Sequence, residues 1–110
     1  MRSIQHPFFE RDIIGIANHI VEVTQGDTAA AYQRLDEIDA LLEAIASNPA
    51  SGHCLSGNLE GWLVRHGGTR NRLTIVFKPD LPNKTIYLAL AACGGRNWVK
   101  FAAARRTFSE

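Results

Sequence analysis

Apolar residues at the start of the chain recur at intervals of three and four. Phe8, Phe9, Ile13, Ile16 and Ile20 form such a stripe, which predicts an amphipathic helix running to about Val23, with Pro7 suited to its first turn. Gly26-Asp27 interrupts the pattern. Asp27 is a good N-cap, and Tyr32, Leu35, Ile38, Leu41, Leu42 and Ile45 then give a second stripe that stops before Asn48-Pro49. So short a connection predicts an antiparallel helical hairpin. Ahead of it, Arg2 to Gln5 reads as a short edge strand. After Pro49 the period falls to two. Residues 50–58 read as a polar loop, followed by three strands at 59–66, 70–78 and 84–92. The joints Gly67-Gly68-Thr69 and Pro79-Asp80-Leu81-Pro82-Asn83 carry turn chemistry, so the strands should form an antiparallel meander.

Alternation assigns the faces. In the middle strand Leu73, Ile75 and Phe77 point toward the helices, while Arg70, Arg72, Thr74 and Lys78 point away, with Val76 the one apolar member of that set. The last strand places Ile86, Leu88 and Leu90 inward and Thr85, Tyr87, Ala89 and Ala91 outward. In the first strand Trp62 and Val64 form the better core pair, which turns Leu63 and Arg65 outward. The alternative register, with Leu63 in the core, sends Arg65 to the helix side, because a one-residue slip inverts every assignment. On the favoured register Arg65 and Arg72 share an open face that Arg70, Lys78 and Lys84 extend. Gly94-Gly95 ends the last strand, and residues 96–108 read as a short closing helix or an extended tail. The expected fold class is α+β: an N-terminal helical hairpin on a small antiparallel sheet, forming one domain over residues 1–110.

Composition supports a packed core, with 45% apolar and 21% charged residues. No run of membrane-spanning length and no signal-peptide pattern is present, so no membrane association and a cytoplasmic location are expected. Cys54 and Cys93 lie far apart outside any CxxC spacing; they read as small core residues, with neither metal nor cofactor implied. The net charge of +1 hides a strong asymmetry. Residues 1–50 hold three Lys and Arg against eight Asp and Glu, a net of −5, whereas residues 51–110 hold nine against three, a net of +6. One acidic and one basic surface are expected, and the basic one suits a phosphate backbone. Two faces charged for solubility are the plainer reading.

The order of elements, with Leu55-Ser56-Gly57-Asn58-Leu59-Glu60-Gly61-Trp62-Leu63-Val64-Arg65-His66, then Arg72, then Gly95-Arg96 after the last strand, resembles the RelE/ParE toxins. The similarity spans about Ile4 to Arg106. It implies the toxin of a toxin-antitoxin system, with a cognate antitoxin protein as partner. RelE-like members are endoribonucleases, or mRNA interferases, that cut messenger RNA on the ribosome. ParE-like members inhibit DNA gyrase without a nuclease site. The resemblance places Arg65, Arg72 and Arg96 at the basic positions of the RelE-like group. Here Arg96-Asn97-Trp98-Val99-Lys100-Phe101 lacks the tyrosine, or histidine-tyrosine pair, that usually follows the last arginine.

RNA cleavage through the 2′-hydroxyl requires a proton acceptor, cations for the pentacoordinate transition state and an acid for the leaving oxygen. Arg65, Arg72 and Arg96 would supply the cations, and His66 would be the acid or base. Arg70, Lys78 and Lys100 would add backbone contacts, with Trp98 stacking on a base. Each has a plainer counterpart. His66 at a strand end reads as a hydrogen bonder, the strand arginines as guards against edge pairing, and Trp98 as an anchor for the C-terminal segment. Three functions stay open: a ribosome-dependent endonuclease, placed first because three arginines fall at matching positions, a gyrase inhibitor, and a non-catalytic member that only binds its antitoxin.

Overall fold

The computed structural model describes residues 2–94 and 97–106. Strand β1 (Arg2–Gln5) leads into helices α1 (Phe9–Val23) and α2 (Thr28–Ser47). Strands β2 (His53–Cys54), β3 (Leu63–Gly67), β4 (Leu73–Asp80) and β5 (Thr85–Cys93) follow, and helix α3 (Trp98–Arg105) closes the chain. The fold is α+β, with a five-stranded sheet in the order β1-β5-β4-β3-β2. β2 through β5 are antiparallel, but β1 lies parallel to β5, so the sheet is mixed where an antiparallel one was expected.

The hairpin forms where the stripes place it, and its joint is made locally. Gln25 adopts a left-handed φ of 57°, Gln25 N–H donates to the Glu22 carbonyl, and Gly26 N–H donates to that of Val21. This satisfies two terminal carbonyls of α1. Asp27 then caps α2 by accepting from Ala30 N–H at 3.0 Å. At its other end α1 begins at Phe9, two residues after the expected first-turn Pro7. His6 holds the bend between them: its carbonyl accepts from Phe9 N–H and its Nδ1 from Phe8 N–H.

Two apolar clusters lie on opposite sides of the sheet. Phe9, Ile16, Ile38, Leu41 and Ile45 of the hairpin meet Leu73, Ile75, Phe77, Ile86 and Leu88 in the larger one. The other joins Trp62, Val64, Val76, Ala89 and Leu90 to Leu59 and to Ala102 of α3. With each fully buried large side chain worth roughly 1.5–3 kcal/mol, both clusters count in stability.

The second cluster corrects three expectations. The sheet face away from the hairpin is covered by α3 instead of being open. β3 takes the alternative register: Leu63 pairs with Phe77 and joins the hairpin cluster, while Trp62 and Val64 face α3. Trp62 finds its partners in Leu59 and the α3 side, which alternation along one strand does not reveal. In β5 the inward run breaks after Leu88. Val76 pairs with Leu90 and Phe77 with Leu88, leaving Ala89 as an extra residue; Leu90 therefore faces α3 and Ala91 the hairpin.

Strand ends also moved. β3 starts at Leu63, because Gly57 and Gly61 have φ of 63° and 91° and residues Gly57–Leu59 form a 3-10 turn. β4 starts at Leu73, because Arg70 and Asn71 are left-handed, with φ of 59° and 54°. The polar loop conceals β2, whose two exposed residues pair with Val64 and Leu63.

Candidate functional surfaces

Arg65 and His66 are successive residues of β3 and so point to opposite faces. Arg65 pairs with Ile75, a member of the hairpin cluster, and its Nη1 donates to Ser51 Oγ at 2.6 Å. It is half-buried on the helix side, where it holds the loop after α2; the expected shared open face with Arg72 is not formed. His66 faces the α3 side and is exposed, with its Nδ1 2.9 Å from Oγ1 of the buried Thr74, its cross-strand partner.

Arg70 and Arg72 are exposed residues of the β3–β4 turn, which α2 fixes in place. Glu37 Oε2 accepts from Thr69 N–H at 2.7 Å and Glu37 Oε1 from Thr69 Oγ1 at 3.0 Å, while Arg34 Nη1 pairs with Oε2 at 3.1 Å. Gly68, at φ 71°, leaves room for that carboxylate: a methyl there would stand 2.7 Å from Glu37 Oε2. Arg72 borders a cleft of about 370 Å³ with His19, Arg34, Glu37, Thr69 and Cys93, so this arginine faces the helical hairpin. Arg96 lies outside the described residues.

Lys78 sits at the opposite end of the sheet. It is the cross-strand partner of Tyr87, and its Nζ is 5.9 Å from the centre of the Trp62 ring. These three side chains share a cleft of about 550 Å³ with Asp80, Pro82 and Arg106. Trp98 is half-buried and packs on the second cluster, as its anchoring role requires, and Lys100 is exposed on α3. Among the described residues no three His, Cys, Asp or Glu side chains gather to hold a metal, and no helix is long and apolar enough to cross a membrane.

A further constellation lies on the edge of β5. β1 covers that edge only as far as Leu88, where His6 N–H adds one more bond to the Leu88 carbonyl. Past it, Asp12 Oδ2 accepts from Ala91 N–H at 3.1 Å and Arg105 Nη1 donates to the Ala89 carbonyl at 3.0 Å. Arg105 also grips Asp12 with both Nη atoms. The ring of Phe8 lies under two guanidiniums, 4.9 Å from Arg11 and 5.7 Å from Arg105. Nearby, His6 titrates below its ordinary value, chiefly because burial disfavours the cation and also because Arg105 repels it; Asp12 opposes the shift.

Apart from Trp98 and Lys100 on α3, the described site residues thus fall into three places. Arg70, Arg72 and His66 lie toward the turn after β3, Lys78 lies at the far end, and Arg65 is enclosed on the helix side. Sequence reading missed Arg106, Glu37 and the Asp12–Arg105 pair. The adjacent Arg105 and Arg106 entered only the charge count of the second half, because the phase of α3, which sends one to the β5 edge and the other to the cleft, has too short an apolar stripe to read. No protein-family model and no curated protein matches the chain.

Proposed function

We propose that this chain is a toxin of the RelE/ParE type that acts by binding its target instead of cutting RNA. The reading of the type is supported by the order of elements: a first strand, a helical hairpin, a meander that returns beside the first strand, and a closing helix. The observation that carries the mechanism is the separation of Arg65 from His66. A nuclease needs its cationic clamp and its acid or base around one phosphate. Here those neighbours face opposite sides of the sheet, and each has a hydroxyl partner. The partners under this reading are a cognate antitoxin and DNA gyrase, reached through the basic second half of the chain.

A ribosome-dependent mRNA endonuclease is the second reading, favoured by the exposed Arg70, Arg72 and His66 lying toward one end of the sheet. One experiment separates the two. The chain is induced in a bacterium without antitoxin, messenger ends are mapped by primer extension, and purified gyrase is assayed for supercoiling. Growth arrest with intact messages and reduced supercoiling is expected. New cuts confined to translated messages would transfer the assignment to the nuclease, and unimpeded growth at high expression would remove the toxin reading.

A further inference from the structure

The cleft between Trp62 and Arg106 is a separate place in the molecule from the β3–β4 turn, and its lining has a definite chemical character. Trp62, the residue before β3, forms a row with Lys78 of β4 and Tyr87 of β5 on the α3 side. Lys78 directly opposes Tyr87, and Trp62 precedes the Leu63 that opposes Phe77. Neighbouring strands are about 4.8 Å apart, so the row sets one cation between two aromatic side chains, with the 4%-exposed Trp62 as the floor of the cleft and the half-buried Tyr87 as its accessible ring. Arg106, exposed just beyond the last turn of α3, brings a second cation from the other wall.

The acid in the lining is already engaged. Asp80 Oδ2 accepts from Asn83 Nδ2 at 2.8 Å and its Oδ1 from Asn83 N–H at 3.4 Å, which closes the β4–β5 turn. Against this one carboxylate, Lys78 and Arg106 leave the lining one positive charge in excess. The rest of the wall is flat and apolar, supplied by Pro79, Leu81 and Pro82. Gly61, at φ 91°, borders Lys78, and a methyl on it would stand 3.8 Å from Lys78 Cε. The volume of about 550 Å³ lies within the ordinary range for a small-ligand site.

We propose that this cleft binds a nucleoside phosphate, with the base against Tyr87 and the proline wall and the phosphate on Lys78 and Arg106. Planar rings are held by aromatic and proline surfaces. Lysine and arginine together neutralise a phosphate through charge-assisted hydrogen bonds. The proposal does not depend on the toxin reading: Lys78, weighed there only as a backbone contact, is the one shared residue, and none belongs to the groups weighed as acid, base or clamp.

The test uses the full chain labelled with nitrogen-15. Adenosine monophosphate, uridine monophosphate, inorganic phosphate and a short single-stranded oligoribonucleotide are titrated in turn. The Trp62 indole and Gly61 amide signals should move with both mononucleotides and move much less with inorganic phosphate. The exposed double substitution Lys78→Gln with Arg106→Gln should weaken nucleotide binding by about tenfold or more while the rest of the spectrum stays in place. An oligoribonucleotide that binds far tighter than the mononucleotides, and loses affinity steeply with salt, would identify the ligand as a strand. Equal affinity would identify a free nucleotide. Unmoved Trp62 and Gly61 signals, equal binding of inorganic phosphate, or undiminished binding by the double variant would each overturn the proposal.

Discussion

Asp12 of α1 and Arg105 of α3 stand 93 positions apart in the chain and close on each other over the stretch of β5 edge that β1 leaves uncovered. Between them they satisfy the Ala91 amide and the Ala89 carbonyl. An unpaired edge is a template for other strands, and here a charged pair occupies it.

Asp12→Ala should therefore cost more than an exposed ion pair would. The two side chains are 16% and 13% exposed, and the substitution strands both a guanidinium and a backbone N–H. A loss of roughly 2–3 kcal/mol is expected in urea unfolding. Asp12→Ala combined with Arg105→Ala should cost clearly less than the sum of the single changes, and strict additivity would show that the pair is not coupled.

Gly68 and Gly57 offer a controlled comparison. Both have positive φ, of 71° and 63°, but a methyl at Gly57 meets open space, while one at Gly68 meets Glu37 Oε2 and comes within 2.9 Å of Leu73 Cδ1. Gly57→Ala should cost about 1 kcal/mol from backbone strain alone. Gly68→Ala should cost about 1–3 kcal/mol more and expose the Thr69 amide to hydrogen exchange. Equal losses at the two sites would mean that Glu37 does not hold the turn.

His6 gives stability a dependence on pH. Its folded value lies below the ordinary 6.5, so as pH falls the unfolded chain takes up the proton first. The contribution is fully present above about pH 6.5 and is lost as pH falls from there through the folded value. His6→Asn should flatten this part of a plot of Tm against pH. An unchanged slope in the variant would assign the effect to other groups.

Leu88 and Leu90 lie two residues apart in β5 yet belong to different clusters. Each substitution to Ala should cost roughly 2–5 kcal/mol. Their local signatures should differ: Leu90→Ala should loosen α3 in hydrogen exchange while the hairpin amides stay protected, and Leu88→Ala should act on the hairpin. Matching exchange patterns would mean that the two clusters behave as one.

The helical hairpin was legible because its apolar spacing is long and regular, and because Asp27 is a cap whose side chain acts within three residues. The meander was legible for a similar reason, with turn residues between alternating runs. What escaped was set by contacts distant in sequence. One register of β3 turns Trp62 and Val64 to the hairpin and the other turns Leu63 and Arg65 there, and the choice between them depends on Leu59 and α3 lying over Trp62 and Val64. The delayed start of β4 depends on Glu37, 32 residues before Thr69, fixing a left-handed turn. For the candidate surfaces, the sequence identified the basic residues but not their grouping. Lys78 belongs with Arg106 through the end of α3, and Arg65 is drawn inward by Ser51.

Ala89 acts on β5 as an inserted base acts on a reading frame. Every side chain after it is displaced by one place relative to those before it, so even-numbered positions face the hairpin before Ala89 and odd-numbered positions after it. Removing this one small residue would let Phe77 and Val76 pair with Leu88 and Leu90 in unbroken alternation, with Leu90 still on α3 and Ala91 still on the hairpin. Loss of Ala89 should consequently be better tolerated than loss of Ala91, which would bring Ala92 to the hairpin and turn Cys93 away from it.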